Sequence, residues 1–135
     1  MAEALNEIDR SPARERILVT GYLSEAEISN WYGRASIFAF PSFDEGFGMP
    51  VLEAMAAGIP VITSNRSALP EVAGEAATLI DPQRDDELAT ALRSLARDES
   101  LRKTRIAAGR THAARFIWTR AVDETLAVYK TVLAS

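Results

Sequence analysis

The stretch Pro41-Ser-Phe-Asp-Glu-Gly-Phe-Gly-Met-Pro-Val-Leu-Glu-Ala-Met-Ala-Ala-Gly58 decides how this chain is read. Before it, Ile37-Phe-Ala-Phe40 is short, apolar and aromatic, the pattern of a buried strand, and Pro41 ends it. Gly46 and Gly48 permit positive φ and let a ligand approach the main chain closely. Pro50 suits a first helical position, where no N–H bond is required. Val51 to Ala57 is a good helix former, and Gly58 followed by Pro60 closes the helix. The stretch therefore reads as loop, glycine turn and helix.

That order of elements has chemical consequences. A helix N-terminus carries unpaired N–H groups and a partial positive charge, and a glycine turn feeding it forms a cradle for an anion such as phosphate. Glu45 precedes the glycines, and Glu53 lies about one turn into the helix. Ionised carboxylates accept hydrogen bonds, so this pair suits the hydroxyls of a sugar and a ribose. A ligand with phosphate in its middle and hydroxyls at both ends matches the arrangement.

Glu45-Gly-Phe-Gly-Met-Pro-Val-Leu-Glu53 resembles the E-x7-E motif of the family 4 retaining glycosyltransferases, which have the GT-B fold. Ala54 to Ile62 and Pro70-Glu-Val72 continue the resemblance, which runs from about Ile17 to Tyr129. It implies that Glu45 is the catalytic-site carboxylate at the donor sugar. It also implies that Gly46, Phe47, Gly48, Met49, Pro50 and Val51 line the sugar and diphosphate, Pro50 without an N–H to offer. Glu53 takes the place that binds ribose hydroxyls. Tyr22 and Leu23, after Gly21, match the turn that holds the base. The resemblance implies no metal and no separate cofactor. It implies as partners a nucleotide-diphosphate sugar donor and a sugar, glycan or lipid-linked acceptor. The Arg and Lys with which the family grips the diphosphate have no counterpart here. Transfer is the expected reaction. A non-catalytic module that completes a partner chain, a nucleotide-sugar epimerase and a phosphorylase are the alternatives.

The rest of the chain fits one soluble α/β domain. Its 135 residues are enough for a core, with 47% hydrophobic and 25% charged residues. The net charge of −4 argues against a nucleic-acid binder, which needs a basic face. With no cysteine there is neither a disulfide nor a thiolate metal site, which is compatible with a reducing cytoplasm. No signal peptide or membrane-spanning run is read, so the location expected is cytoplasmic, or peripheral to a membrane in a full-length protein.

In order, the sequence predicts a helix over 1–9, a strand over 17–20 and a helix from a Ser24–Glu27 capping box to Gly33. Strands follow at 37–40, 59–63 and 77–80, the last two separated by the loop Ser64 to Ser67 and a helical turn over 69–73. Leu88, Ala91, Leu92 and Leu95 repeat at helical spacing. A helix over 101–115 comes next, then a C-terminal helix with an apolar stripe through Val122, Leu126, Tyr129 and Leu133. Strands alternating with helices imply a Rossmann-like parallel sheet of about four strands, covered on both faces, with ligands at its carboxyl edge.

Read as the family's C-terminal domain, residues 1–135 are one partial nucleotide-sugar-binding domain. The acceptor domain and two central strands are absent, leaving a fragment expected to be inactive alone. Strand 37–40 then has an open edge, filled either by strand 17–20 or, as favoured, by self-association or a complementing chain. Arg66 is expected to be a solvated loop residue, His112 to lie away from the crevice, and Trp31 and Trp118 to be core or helix-anchoring residues. A side chain at residue 48 is expected to harm binding more than folding.

Overall fold

The computed structural model describes residues 2–134, in two compact units, 1–31 and 32–135. The N-terminal unit holds α1 (Ala2–Arg10), a 3-10 turn (Arg14–Arg16) and the start of α2 (Glu25–Arg34). The capping box forms as expected. Ser24 donates its N–H and its hydroxyl to Glu27 Oε2 at 2.8 and 2.6 Å, and Glu27 N–H returns a bond to Ser24 Oγ at 3.4 Å. Those bonds hold the Glu27 carboxyl below its usual range.

Residues 17–20 were expected as a strand and form none; Leu18 and Val19 are 69% and 50% exposed. Three apolar residues suggest a strand, but ordering an extended segment is offset only by a neighbour's N–H and C=O groups. The sheet has three strands instead of about four.

The larger unit contains β1 (Phe38–Phe40), α3 (Met49–Ala57), β2 (Val61–Ser64), α4 (Leu69–Ala73), a 3-10 turn (Gly74–Ala76) and β3 (Thr78–Ile80). Three helices complete it: α5 (Asp85–Arg97), α6 (Glu99–Ala113) and α7 (Trp118–Leu133). The strands are parallel in the order β1-β2-β3, with Ala39 opposite Ile62 and Thr63 opposite Leu79. Among the described residues β1 pairs with β2 alone.

Alternation along β2 explains the covering of both faces. Val61 joins a core with Val51, Met55, Leu69 and Val72 from α3 and α4, whereas Ile62 packs with Ile80, Ala91 and Leu95 on the α5 side. The predicted Leu88-Ala91-Leu92-Leu95 stripe is the face α5 buries. α6 closes the α3 side. Gly109, buried on α6, has Met55 so near that an added Cβ would lie 3.2 Å from Met55 Cγ. The apolar stripe of α7 is present, yet α7 buries no residue, and Trp118, expected as an anchor, is 84% exposed.

Candidate functional site

α3 is the helix the sequence predicts, and its ends are set by two glycines. Gly48, at the N-cap, has φ 97°, and Gly58, at the C-cap, has φ 79°. At the far end Ile59 N–H donates to Ala54 O and Gly58 N–H to Met55 O, the double bond pattern that stops a helix at a left-handed residue. At the near end Pro50 has no N–H and Val51 N–H donates to Gly48 O at 3.0 Å. The N–H groups of Gly48 and Met49 have no carbonyl partner among the described residues. They are unpaired donors at the N-terminal end of α3.

A Cβ at residue 48 would lie 2.6 Å from Leu69 Cδ2, and Leu69 is fully buried. The space at Gly48 is thus filled by the protein's own core. A side chain there therefore carries a cost to folding, whatever it does to binding. Gly46 has no neighbour within 4 Å of the same construction.

Glu45 is half-buried on the loop leaving β1, and Phe47 and Met49 are exposed on the turn below it. Val51 is fully buried, so only its backbone borders the turn. Glu53 is exposed on α3, and its Oε2 accepts a hydrogen bond from the Tyr32 hydroxyl at 3.2 Å. Burial first, then the Glu53 charge and that bond, push the Tyr32 phenol up to about 12. The Tyr32 ring is itself fixed against Phe38, 5.7 Å away between centroids. The Tyr32–Glu53 bond joins residues 21 positions apart, and no local pattern in the sequence announces it.

Phe47, Met49 and Glu53 also form one wall of an open cavity of about 670 Å³. His112, Phe116 and Trp118 line the same cavity. His112, expected away from the crevice, is among the residues lining this cavity. Its Nε2 lies 2.8 Å from Val72 O, which requires the proton on Nε2, and its ring packs on Phe116. Phe116 meets Phe47 edge to face at 6.2 Å. Arg66 leans the other way, onto Asp81 at 3.0 Å and Gln83 at 3.1 Å.

Tyr22 and Leu23 belong to the N-terminal unit, on the stretch between Gly21 and α2, with Tyr22 98% exposed. Among the described residues no group of three or more acidic, His or Cys side chains could hold a metal ion. No described helix is long and apolar enough to cross a membrane.

A parallel sheet with helices on both faces, and a glycine turn and helix at its carboxyl edge, defines a Rossmann-like α/β architecture. Residues 3–112 match the family of group 1 glycosyl transferases, and the chain belongs to that family. It is 36% identical over 123 residues to the O-antigen chain mannosyltransferase B of Escherichia coli, covering 91% of this chain and 32% of that protein. The sucrose-phosphate synthase of Thermosynechococcus elongatus superposes with a TM-score of 0.85 at 25% identity, over 98% of this chain and 34% of that one. An Anabaena protein solved in complex with UDP-glucose has the same fold, with a TM-score of 0.83 at 20% identity, over 97% and 36% of the two chains. The fold is that of the GT-B glycosyltransferases. The chain spans about a third of the length of these relatives.

Proposed function

We propose that this chain is the nucleotide-sugar-binding part of a retaining glycosyltransferase that moves a sugar from a nucleotide-diphosphate donor to a sugar, glycan or lipid-linked acceptor. The observation that carries the reading is the E-x7-E stretch on a glycine-capped helix at the sheet's carboxyl edge. Glu45 contacts donor sugar hydroxyls, with Gly46, Phe47 and Gly48 beside it. The N–H groups of Gly48 and Met49, at the positive end of α3, face the diphosphate, and Pro50 and Val51 shape that end. Glu53 binds the ribose hydroxyls through the carboxylate oxygen that Tyr32 does not occupy. Tyr22 and Leu23 hold the base. In transfer, the helix end stabilises the negative charge that collects on the departing nucleotide diphosphate.

Mannose, named for one relative, and glucose, bound as UDP-glucose by one neighbour, are the sugars to try first. The location proposed is the cytoplasm, since the chain carries no cysteine and no described helix suited to a membrane. Binding without turnover is what the 135 residues are expected to support alone. The open edge of β1, with its aromatic Phe38 and Phe40, favours a further strand from a second copy or a complementing chain. Light scattering over a concentration series tests that point, and a monomer at every concentration rejects it.

The donor reading is tested by calorimetric titration of UDP, GDP and ADP into the chain and into Glu53→Ala. The expected result is measurable affinity for at least one nucleotide, lowered about tenfold by the substitution as charge-assisted bonds to ribose are lost. Equal affinity of the two proteins removes Glu53 from the site.

A further inference from the structure

Ser67 is the one non-glycine residue among those described with a positive φ, at 55°. It stands on the loop from β2 to α4, at the same carboxyl edge as the loop that leaves β1. A left-handed backbone costs an L-residue free energy and persists only where the surroundings impose it. The surroundings here are two residues of the β1 loop. Ser67 Oγ lies 2.7 Å from Asp44 Oδ1 and 2.8 Å from the Glu45 carbonyl oxygen, and it accepts the Glu45 N–H at 3.3 Å.

One hydroxyl therefore holds both backbone groups of Glu45, which have no other hydrogen-bond partner among the described residues. Its single proton is shared between the Asp44 carboxylate and the Glu45 carbonyl, while a lone pair takes the Glu45 N–H. Glycine would adopt this conformation without strain, so the hydroxyl is what serine adds. Pinning both peptide groups of Glu45 fixes the direction in which its Cβ, and hence its carboxylate, leaves the loop.

We infer that Ser67 is a positioning residue that aims the Glu45 carboxylate at the sugar of a bound nucleotide-diphosphate donor. The inference rests on the donor reading proposed above. It separates Ser67 from Tyr32, which orients the other carboxylate, Glu53. Loss of the Ser67 hydroxyl then weakens binding of the sugar portion and leaves the nucleotide portion alone.

Ser67→Ala removes Oγ and keeps the Cβ; Ser67→Gly removes Oγ and relieves the backbone, so the two together separate hydroxyl from strain. Each is titrated with UDP and UDP-glucose, and with GDP and GDP-mannose, beside Glu45→Ala and the Glu45→Ala/Ser67→Ala double variant. Both Ser67 variants are expected to lose about fivefold in affinity for the nucleotide sugar, the worth of one hydrogen bond, with the bare nucleotide unchanged. In the Glu45→Ala background Ser67→Ala is expected to have no further effect. Amide exchange on the free chain is expected to quicken several-fold at Glu45 and to stay the same across Val61–Ser64.

Equal weakening of nucleotide and nucleotide sugar overturns the inference by making Ser67 a general structural residue. So does an unchanged Glu45 exchange rate, or a sugar loss from Glu45→Ala that neither Ser67 variant shares. If Glu45→Ala itself leaves nucleotide-sugar affinity unchanged, the donor reading falls and this inference with it, whatever the exchange rates are.

Discussion

Gly48→Ala is the substitution for which the structure sets the largest penalty from the smallest change. Two costs add. An alanine at φ 97° occupies backbone space that L-residues avoid, about 1–3 kcal/mol. Its Cβ would also sit 2.6 Å from Leu69 Cδ2, where ordinary carbon contacts are about 3.5–4.0 Å. Leu69 is fully buried, so its methyl group has no solvent to retreat into, and overpacking of this kind costs about 1–3 kcal/mol. The sum, about 2–6 kcal/mol, is a large part of the ~5–15 kcal/mol that holds a domain together. The control is Gly46→Ala, two residues away, which meets nothing within 4 Å and has no positive φ. Urea unfolding followed by circular dichroism should move the Gly48→Ala midpoint down sharply and leave Gly46→Ala within about 0.5 kcal/mol of the parent. A Gly48→Ala midpoint equal to that of Gly46→Ala would refute the packing argument.

Other perturbations follow from particular contacts. With its folded pKa raised to about 12, Tyr32 contributes stability that is whole below pH 10 and is lost as pH rises from about 10 towards 12. Spectroscopic titration near 295 nm should find one phenol ionising late, and Tyr32→Phe should abolish that phase; an ordinary titration of all three tyrosines counts against the burial of Tyr32 together with its Glu53 contact. Ser24→Ala removes the two bonds made by the Ser24 hydroxyl, leaves the backbone N–H bond to Glu27, and should lower stability by about 1 kcal/mol in thermal unfolding, while Ser29→Ala within α2 serves as the neutral comparison. A Ser24→Ala protein as stable as Ser29→Ala would show that the hydroxyl contributes nothing.

Local rules carried the sequence reading a long way where the signals were local. Gly58 with Pro60 gave the end of α3, Ser24 with Glu27 the start of α2, and the Leu88 to Leu95 spacing the buried face of α5. The same rules misjudged residues 17–20, because Ile-Leu-Val has strand character only when a neighbouring strand accepts it. They read an apolar stripe on α7 and a Trp at its start, but no apolar pattern tells whether anything covers it, and Trp118 lies exposed.

The site divides along the same line. Glu45, Gly48 and Glu53 stand out within nine residues of sequence. The groups that hold them do not. Tyr32 reaches Glu53 from 21 residues away, and Ser67 reaches Glu45 from 22. Arg66, which sequence leaves as a loop cation, is engaged by Asp81 beyond β3. Contacts of that span are set by the order of strands in the sheet, which brings separate loops to one edge.

The most direct test of the donor site is nuclear magnetic resonance of the isotope-labelled chain titrated with UDP-glucose and GDP-mannose. Saturable amide shifts for at least one donor, centred on Gly46, Phe47, Gly48 and Met49 and extending to Glu53, are the result expected. Saturable shifts centred elsewhere, or none at millimolar donor, would contradict the claim that the glycine turn and the start of α3 hold a nucleotide-diphosphate sugar.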